Sequence, residues 1–581
     1  MVKGVTFAFR NHHHVCQRKK IIEIQDWKYY DLEDEGLGMG NVLSQYGYYN
    51  DQGKGYNSTK NLLSDESDES VESDESEESD EYIKFLNACE KGYINFVQMN
   101  LMAKKVNINA QCKSKQPSTP LHIAIHNSDI ELLELLLKYK ADPRVEDTGK
   151  MTTALHRLCL SISKVMSNRQ RDIVLNMIKL VLNYQTNVNE EDKLHVAPVF
   201  GLFDYQVHKN TFDSEDKRKM FQYLQKDILK MLLKAGVEVT SESKQERTLL
   251  DLVISSCSSR DGVVQIEMRD EVGIEMIELL LQHEVDVTAK SRCVEMRDFY
   301  SPLHLAVNRY NFDAVKKLCQ LHPNVSTIRF NKLLLNARPR HVMPTAEIAL
   351  NLINIMMTLS DNNYQFDVSK DLAMIDFLIG TDDVYYGPKQ FLSVLAFGSL
   401  ERIRKFFDLA LSRDEEHLIK TTRKYLAIVL KCEMHKSQEM MDFLLKKANV
   451  VGDSKGYLND FNIDLELQRM KSLKISKKAS LYDVCKLHPK QAYFDVLINS
   501  DYRSIVRSAE FDQMFPQCAG IIRGHLVRAE VNAWCDLTVV TLAELHYDLT
   551  DAASQQLINY ASYEDKLSWA KQIQALRKDV Y

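Results

Sequence analysis

Thr119-Pro-Leu-His122-Ile-Ala124 is the stretch that decides the fold, because the chain returns to it several times. Further copies read Thr153-Ala-Leu-His156, Lys193-Leu-His195-Val-Ala197 and Ser301-Pro-Leu-His304-Leu-Ala306, with a weaker one at Thr248-Leu-Leu-Asp-Leu-Val253. Leu121 and Leu155 lie 34 positions apart, and insertions spread out the later copies. Recurrence at this spacing predicts stacked repeats, which present a surface for a partner more often than a pocket for chemistry.

A second apolar segment follows each copy. After Leu121 comes Asp129-Ile-Glu-Leu-Leu-Glu-Leu-Leu-Leu137, whose apolar residues recur with the spacing of an amphipathic helix. Corresponding segments begin at Asp172, Asp227, Ile274 and Phe312. Each unit is therefore predicted to be a helix, a turn, a second helix and an extended finger. One such unit cannot bury its own apolar face, so neighbouring units must stack.

The repeated unit resembles the ankyrin-repeat family. Five helix pairs between about residues 118 and 326 fit the family pattern, residues 82–97 resemble its N-terminal capping repeat, and segments from Phe391 and Tyr425 resemble degenerate repeats. The resemblance implies an all-α ankyrin-repeat solenoid that holds a protein target on the concave face formed by its fingers and inner helices. The finger positions that we expect to contact the target are Arg144, Glu146, Asp147, Ser241, Lys290 and Arg292.

Histidine and aspartate recur at fixed places in the repeats, and both are interpreted as structural. The signature histidines can hydrogen-bond the backbone across a turn, and whole repeats separate them, so they cannot share one metal ion. Asp142 and Asp286 fall at finger positions, where they are expected to cap turns rather than act as acids. His12-His-His14 with Cys16 offers soft-metal ligands, but a closed site needs four ordered ones. We therefore predict no metal, no cofactor and no catalytic residue.

The composition is that of a folded protein, with 45% apolar residues and a formal net charge of −7. Residues 64–81 alternate serine with acids and carry eleven carboxylates and no base. Residues 1–81 are predicted to be disordered. The acidic serine tract is either a solvated, self-repelling spacer or a substrate of an acidophilic kinase. No basic face argues for a nucleic-acid partner.

Cysteine usage and hydropathy indicate the compartment. The eleven cysteines are scattered without a C-x-x-C pair, so a disulfide framework is not expected and a reducing compartment, the cytoplasm or the nucleus, is predicted. No stretch of about 18 apolar residues is present, so we expect neither a transmembrane helix nor a membrane partner. The protein is expected to be a monomer.

The C-terminal part follows a different pattern, with short helical segments and no ankyrin signature. An ankyrin array with such a tail resembles the PRANC architecture of poxvirus and related insect proteins, whose last stretch is an abbreviated F-box. Leu481-Tyr-Asp-Val-Cys485, Phe515-Pro516 and residues 549–567 carry that likeness, although Thr550 stands where the F-box pattern has Pro and Ala561 where it has Leu. The resemblance implies that the F-box-like helices dock a Skp-family subunit through Leu549, Leu557, Ile558 and Tyr560. The same residues would alternatively close the core of their own domain.

Four regions are thus predicted: a disordered acidic region at 1–81, ankyrin repeats at 82–326, degenerate ankyrin-like repeats at 327–460 and a helical F-box-like domain at 461–581. The preferred function is a substrate-recruiting adaptor for a Skp/cullin-type ubiquitin ligase. The alternative is an interaction scaffold whose C-terminal domain is a structural cap. A third hypothesis, an enzyme hidden in the irregular region 327–460, has no motif to support it.

Overall fold

The computed structural model describes the chain in separate segments. The first of them begins with a helix. The described residues are 80–111, 119–147, 152–162, 165, 167–184, 187–192, 196–203, 215–240, 246–256, 271–283, 285–293, 298–321, 324–328, 346–364, 374, 378, 391–410, 415–449, 461–547, 566, 568 and 569. The predicted disorder lies outside these residues, except at Asp80 and Glu81. Those two residues begin the helix Asp80–Glu90, so the prediction of disorder is wrong for them.

Helices in pairs make up the first half of the described chain. The first members are Asp80–Glu90, Pro120–Asn127, Ala154–Ser161, the 3-10 helix Pro198–Phe203, Leu249–Ser256 and Pro302–Asn308. The second members are Ile94–Met102, Ile130–Lys138, Asn168–Tyr184, Glu215–Lys234, Glu271–Leu281 and Phe312–Cys319. First members contact the first members of neighbouring pairs, and second members contact second members. The pairs therefore form two stacked layers, which confirms the predicted repeat architecture.

Short polar side chains start these helices. The Thr119 hydroxyl accepts the His122 N–H at 3.3 Å, and the Asp129 carboxylate accepts the Leu132 N–H at 2.9 Å. Such caps stabilise a helix by about 1 kcal/mol each, because they satisfy N–H groups that have no partner in the first turn. Pro120 occupies the first helical position, where its missing N–H costs nothing. The second helix then buries a row of four leucines, Leu132, Leu133, Leu136 and Leu137.

The fourth helix pair begins later than the copy at 193–197 predicts. Its first helix is a 3-10 helix that starts at Pro198, so the predicted register of this copy is wrong. Proline is favoured at the first helical position, as Pro120 and Pro302 illustrate, and Pro198 decides the start despite the matching letters upstream. Phe200 thereby takes the place that His122 occupies in its own repeat. His195 lies outside the described residues.

Two short β-strands form one of the fingers. Ser291–Cys293 pairs antiparallel with Asp298–Tyr300, and Arg292 stands opposite Phe299. The Ser291 hydroxyl accepts the Thr248 N–H at 3.0 Å, which ties this hairpin to the start of the helix Leu249–Ser256. The all-helical fold class is confirmed, and this hairpin is the form that one of the predicted extended fingers takes.

Five further described helices lie between residues 346 and 447. They are Ala346–Asp361, the pair Phe391–Phe397 and Leu400–Ala410, and the pair Glu415–Lys431 and Gln438–Lys447. The two pairs lie in the segments that resemble degenerate repeats. Ala346–Asp361 contacts the last regular unit through the helix Phe312–Cys319, so the stack continues into this region without a break in packing.

The C-terminal elements are short helices that precede one long helix. They are Asp464–Ser472, Leu481–Lys486, Pro489–Gln491, the π-helical turn Ala492–Val496, the 3-10 turn Leu497–Asn499, Tyr502–Arg507, Ala509–Met514 and the long helix Ala519–Tyr547. The long helix contacts Ala346–Asp361 and Phe391–Phe397. Its apolar residues Ile522 and Leu526 are buried, and so are its charged residues Arg523 and Glu530. Burial around its whole circumference makes this helix the centre of the C-terminal packing.

Buried ion pairs accompany the long helix. Glu530 accepts hydrogen bonds from the Tyr502 hydroxyl and from Arg503, whose Nε lies 3.0 Å away. Lys566 Nζ lies 2.7 Å from Asp536 Oδ1, and both side chains are more than nine-tenths buried. A buried charge that loses its partner destabilises a protein by several kcal/mol. These pairs therefore hold the surrounding segments in one arrangement.

Candidate functional site

The neutral imidazole of His122 hydrogen-bonds the second finger, which is the finger that follows the helix Ile130–Lys138. The His122 ring lies between the Thr119 hydroxyl, 2.7 Å from Nδ1, and the Thr152 carbonyl oxygen, 2.8 Å from Nε2. Because a carbonyl oxygen only accepts, Nε2 carries the proton and Nδ1 accepts from the hydroxyl. Burial lowers the pKa of His122, which favours this neutral form. The ring bridges a helix start and the following repeat, as the sequence predicts.

The same arrangement recurs in the next repeat. His156 Nδ1 lies 2.8 Å from the Thr153 hydroxyl, and Nε2 lies 2.7 Å from the Val196 carbonyl oxygen. Burial lowers the pKa of His156 as well. His304 keeps the first contact, with Nδ1 2.8 Å from the Ser301 hydroxyl. The structural role predicted for these histidines is therefore confirmed for the ones that the structure describes.

Aspartate and asparagine side chains shape the finger turns. Asp142 Oδ1 accepts the Arg144 N–H at 3.0 Å, and Asp286 Oδ1 accepts the Thr288 N–H at 2.7 Å. A hydrogen bond from the Arg144 side chain lowers the pKa of Asp142, and one from Thr288 does the same for Asp286. Both carboxylates are therefore held charged as turn caps, which confirms their predicted role.

Neighbouring fingers are tied to one another. Asn109 Oδ1 accepts the Asp142 N–H at 2.8 Å, which connects the first finger to the second. Asn189 Oδ1 accepts the Glu238 N–H at 2.8 Å, and its amide donates to the Gly236 carbonyl at 3.1 Å. These bonds fix the spacing of successive finger tips. Side chains at the tips are thus displayed on a rigid frame, as recognition requires.

The second finger contains three of the predicted contact residues. The Arg144 side chain is 54% exposed and reaches back to Asp142, 2.9 Å from its Nη2. Glu146 is half-buried, and its carbonyl accepts the Gln111 amide at 2.7 Å. Asp147 is only 1% exposed, so the expectation that it contacts a target is corrected. Its N–H donates to the Thr152 carbonyl at 3.0 Å, which keeps it inside the loop closed by His122.

The remaining predicted finger residues belong to later repeats. Lys290 is exposed next to the hairpin strand Ser291–Cys293. Arg292 lies within that strand, where its backbone pairs opposite Phe299. Ser241 lies outside the described residues. The exposed and described part of the predicted surface therefore consists of Arg144 on one finger and Lys290 on another.

The predicted ligase-docking residues, Leu549, Leu557, Ile558 and Tyr560, all lie outside the described residues. The structure describes parts of the chain on either side of them. The long helix ends at Tyr547, and Lys566 returns to pair with Asp536. Trp569 is 38% exposed. The docking role of the four residues stays a prediction.

An exposed apolar strip, which the sequence analysis missed, covers the second helix of the first pair. Tyr93, Phe96, Met99 and Met102 are 46–69% exposed. Val97 and Leu101 of the same helix, Ile94–Met102, are buried. Large apolar residues at every third position opposite a buried pair are the signal that identifies such a strip. Exposed apolar residues in a row are typical of contact surfaces.

Other kinds of site were sought in the described part of the chain. Among the described residues no group of three His, Cys, Asp or Glu side chains is placed to hold a metal ion. No described helix has the length and apolarity needed to cross a bilayer. Seven described cysteines are buried and form no disulfide among the described residues, and burial raises the pKa of Cys159 to about 12. A thiol with so high a pKa is an inert packing group rather than a nucleophile.

Comparisons with known proteins find one family model and several solved structures that are similar to parts of this chain. A family model described as Ankyrin repeats matches residues 85–192 in three copies. The ankyrin repeat domain of Bcl-3, a member of the IkappaB protein family, is similar at 17% identity and a TM-score of 0.31, over 47% of this chain and 96% of that chain. The human ASB11 ankyrin repeat domain gives 15% identity and a TM-score of 0.30, over 47% and 96%. An ankyrin repeat domain of Acinetobacter baumannii AYE gives 14% and 0.30, over 42% and 98%.

Residues 85–192 therefore carry ankyrin repeats, and the resemblance stated from the sequence is confirmed for this part of the chain. Ankyrin repeats are protein-binding modules, so the repeats support a protein–protein interaction scaffold.

Proposed function

We propose that this protein holds a protein target on its ankyrin fingers and delivers it to a Skp/cullin-type ubiquitin ligase through its C-terminal segment. The frame of hydrogen bonds behind the fingers carries the first half of the proposal. His122 and Asn109 fix the finger that carries Arg144, and the bond between Thr248 and Ser291 fixes the one next to Lys290, so both side chains are displayed without a further cost of ordering the backbone.

A crosslinking experiment tests target binding. A photo-crosslinking amino acid is placed at Arg144 or at Lys290 in the full chain, and a control carries it at Lys230, which is exposed on the second-helix layer. We expect one protein to be crosslinked from both finger positions and not from Lys230. Equal crosslinking from all three positions would show that the fingers are not the recognition surface.

The sequence match of Leu549, Leu557, Tyr560 and Ser562 to the F-box pattern supports the delivery half. Deletion of residues 540–581 is a poor test, because it removes Lys566 and leaves the carboxylate of Asp536 buried without its partner. Point variants are sharper. Leu557→Asp and Tyr560→Asp should abolish co-purification with a purified Skp-type subunit, while Trp569→Ala, outside the motif, should leave it intact. Association that survives both motif variants would contradict the adaptor role.

A specific observation favours the alternative, a scaffold whose C-terminal elements act as a structural cap. Arg523 of the long helix lies 3.4 Å from Glu347 of Ala346–Asp361, and its side chain is 5% exposed. Tight packing of this kind is what a cap provides. Under this alternative, Leu557→Asp and Tyr560→Asp lower the melting temperature of the full chain and no Skp-type subunit binds. Unchanged melting together with lost Skp binding would exclude it.

A further inference from the structure

Exposed lysines surround the start of the helix Leu481–Lys486. One lies at the end of the helix Asp464–Ser472, three lie on the turn between the two helices, and one ends the second helix. We call them the lysine surface, and they are Lys471, Lys474, Lys477, Lys478 and Lys486. This surface belongs to the C-terminal elements and contains no residue of the ankyrin fingers.

Positive charge is in excess on the lysine surface. Two acids lie among its five cations, and each is already engaged. Glu433 pairs with Lys486 at 2.7 Å. The Asp483 carboxylate accepts the N–H and the hydroxyl of Ser480 at 2.9 and 2.7 Å. The three lysines of the turn make no ion pair with any part of the chain that the structure describes.

Hydrogen bonds order the backbone that carries these three lysines. The Leu481 N–H donates to the Leu473 carbonyl at 2.8 Å, which closes the base of the turn. The Ser476 hydroxyl accepts the Ala479 N–H at 3.1 Å within the turn. Ile475 is buried and anchors the turn to the core. The three ammonium groups are therefore presented on an ordered turn, so a ligand does not have to order its backbone.

The aromatic ring of Tyr482 positions the other two lysines. Lys471 Nζ lies 5.0 Å from the ring centre and Lys486 Nζ lies 5.2 Å from it. The Tyr482 hydroxyl donates to Glu433 at 2.8 Å, and the ring packs against the core. Cations near an aromatic ring are attracted by its electron-rich face. The ring is thus occupied by the protein's own groups and is not offered for stacking a nucleic-acid base.

The composition of the lysine surface favours carboxylates over other anions. It has no arginine, whose planar fork is the usual reader of phosphate groups, and its cations are hydrated point charges. Within residues 471–486 no large apolar side chain is exposed, so nothing is offered for insertion into a bilayer. Several separate ammonium groups along a turn match separate carboxylates along an extended chain.

We propose that the lysine surface binds an acidic segment of a partner protein, in which glutamate or aspartate recurs along an extended stretch. The contact consists of exposed ion pairs, so it should be fast and specific for charge, and salt should weaken it. This surface lies on other elements than the fingers, so it gives the protein a second place to contact a partner.

Fluorescence anisotropy with the full chain tests the proposal. The labelled probes are a peptide of alternating glutamate and serine, the same peptide with glutamine in place of glutamate, and a single-stranded oligonucleotide. Sedimentation with phosphatidylserine vesicles tests a membrane. We expect saturable binding of the glutamate peptide alone, weakened by added sodium chloride. Equal or tighter binding of the oligonucleotide or the vesicles, or no saturable binding of the glutamate peptide, would overturn the proposal.

Variants of the turn locate the binding. A triple variant with Lys474→Gln, Lys477→Gln and Lys478→Gln should weaken binding of the glutamate peptide about tenfold, because three exposed ion pairs are lost. The corresponding arginine triple keeps the charges and should keep the binding. Thermal melting should be unchanged in both, since these side chains are exposed.

A matched control removes the same net charge elsewhere. It replaces by glutamine three exposed lysines of the second-helix layer, Lys138, Lys179 and Lys230. Binding of the glutamate peptide should be unchanged in this control. An equal loss in the two glutamine triples would show that the peptide responds to net charge alone and that the lysine surface is not its site.

Discussion

Arg507, among the C-terminal helices, donates a hydrogen bond from Nη2 to Asp313 of the last regular repeat at 2.9 Å, across 194 residues of sequence. The Arg507 side chain is 7% exposed and its guanidinium lies 4.6 Å from the centre of the Phe312 ring. It also donates to the amide oxygen of Asn351, in the helix Ala346–Asp361. One side chain therefore joins three segments of the chain that are distant in sequence.

Replacement of Arg507 should destabilise the whole chain. In Arg507→Met the carboxylate of Asp313 and the amide of Asn351 lose their common donor, and a buried pair broken in this way costs on the order of 3 kcal/mol. Urea unfolding followed by circular dichroism measures the effect. Arg144→Met is the control, because its ion pair with Asp142 is exposed and such pairs are worth about 1 kcal/mol or less. Equal effects of the two variants would show that Arg507 is not a junction.

Asp251 should make stability depend on pH. It is 1% exposed, and burial raises its pKa to about 7 against the opposing effects of Arg247 and Thr248. The unfolded chain loses this proton near pH 4 and the folded chain near pH 7, so the folded state binds more protons between those values. Stability therefore falls as pH rises through that window, by up to about 4 kcal/mol for a shift of roughly three units.

The variant Asp251→Asn removes this titration. It should match the parent protein near pH 4 and exceed its stability above pH 7, as measured by urea unfolding at pH 5 and pH 8. Asp172→Asn, at an exposed position of the helix Asn168–Tyr184, is the matched control. A pH profile of Asp251→Asn that is parallel to that of the parent would contradict the assignment.

Gly524 marks the closest approach of the long helix to a neighbour. A Cβ at this position would lie 2.7 Å from the Cβ of Ala396 and 3.1 Å from its carbonyl carbon. Gly524→Ala should therefore destabilise the chain by about 1–2 kcal/mol despite the better helix propensity of alanine. Gly520→Ala in the same helix meets nothing within 4 Å and should be neutral or stabilising. Melting temperatures that rise for both variants would refute this packing.

Lys140 occupies a backbone conformation that suits glycine. Its φ is 66°, in the turn that ends the helix Ile130–Lys138, and its side chain is exposed. Lys140→Gly should raise the free energy of unfolding by about 1 kcal/mol, because the left-handed region strains residues that carry a Cβ. Lys138→Gly, at a helical position two residues earlier, should lower it by about the same amount. Destabilisation by Lys140→Gly would disprove the strain.

Local sequence signals predicted the repeats well, since each of them acts within a few residues. Thr119 and Pro120 favour the start of a helix through the preferences of their own side chains and backbone. A row of leucines at helical spacing favours burial. Proline at the first helical position is the same kind of local signal, and at Pro198 it gives the correct start of the helix predicted from the copy at 193–197. Asp147 was predicted as a contact residue from its finger position alone, and its burial depends on the return of Thr152 across the loop.

Long-range features had no such signal. The pairing of Arg507 with Asp313 depends on how the C-terminal helices seat on the stack, and nothing near either residue encodes it. Sequence reasoning therefore reached the fold of each unit and missed the contacts between the last units.

The imidazole bonds of His122 and His156 each reach forward into the next repeat, and the following two repeats have Phe200 and Asp251 at the corresponding positions. Neither side chain carries the ring N–H that donates this hydrogen bond in the first two repeats. The forward bond from an imidazole is therefore confined, among these four repeats, to the first two. In a single-molecule force trace, the repeats that contain Phe200 and Asp251 should therefore separate from one another before those that the two imidazole bonds join.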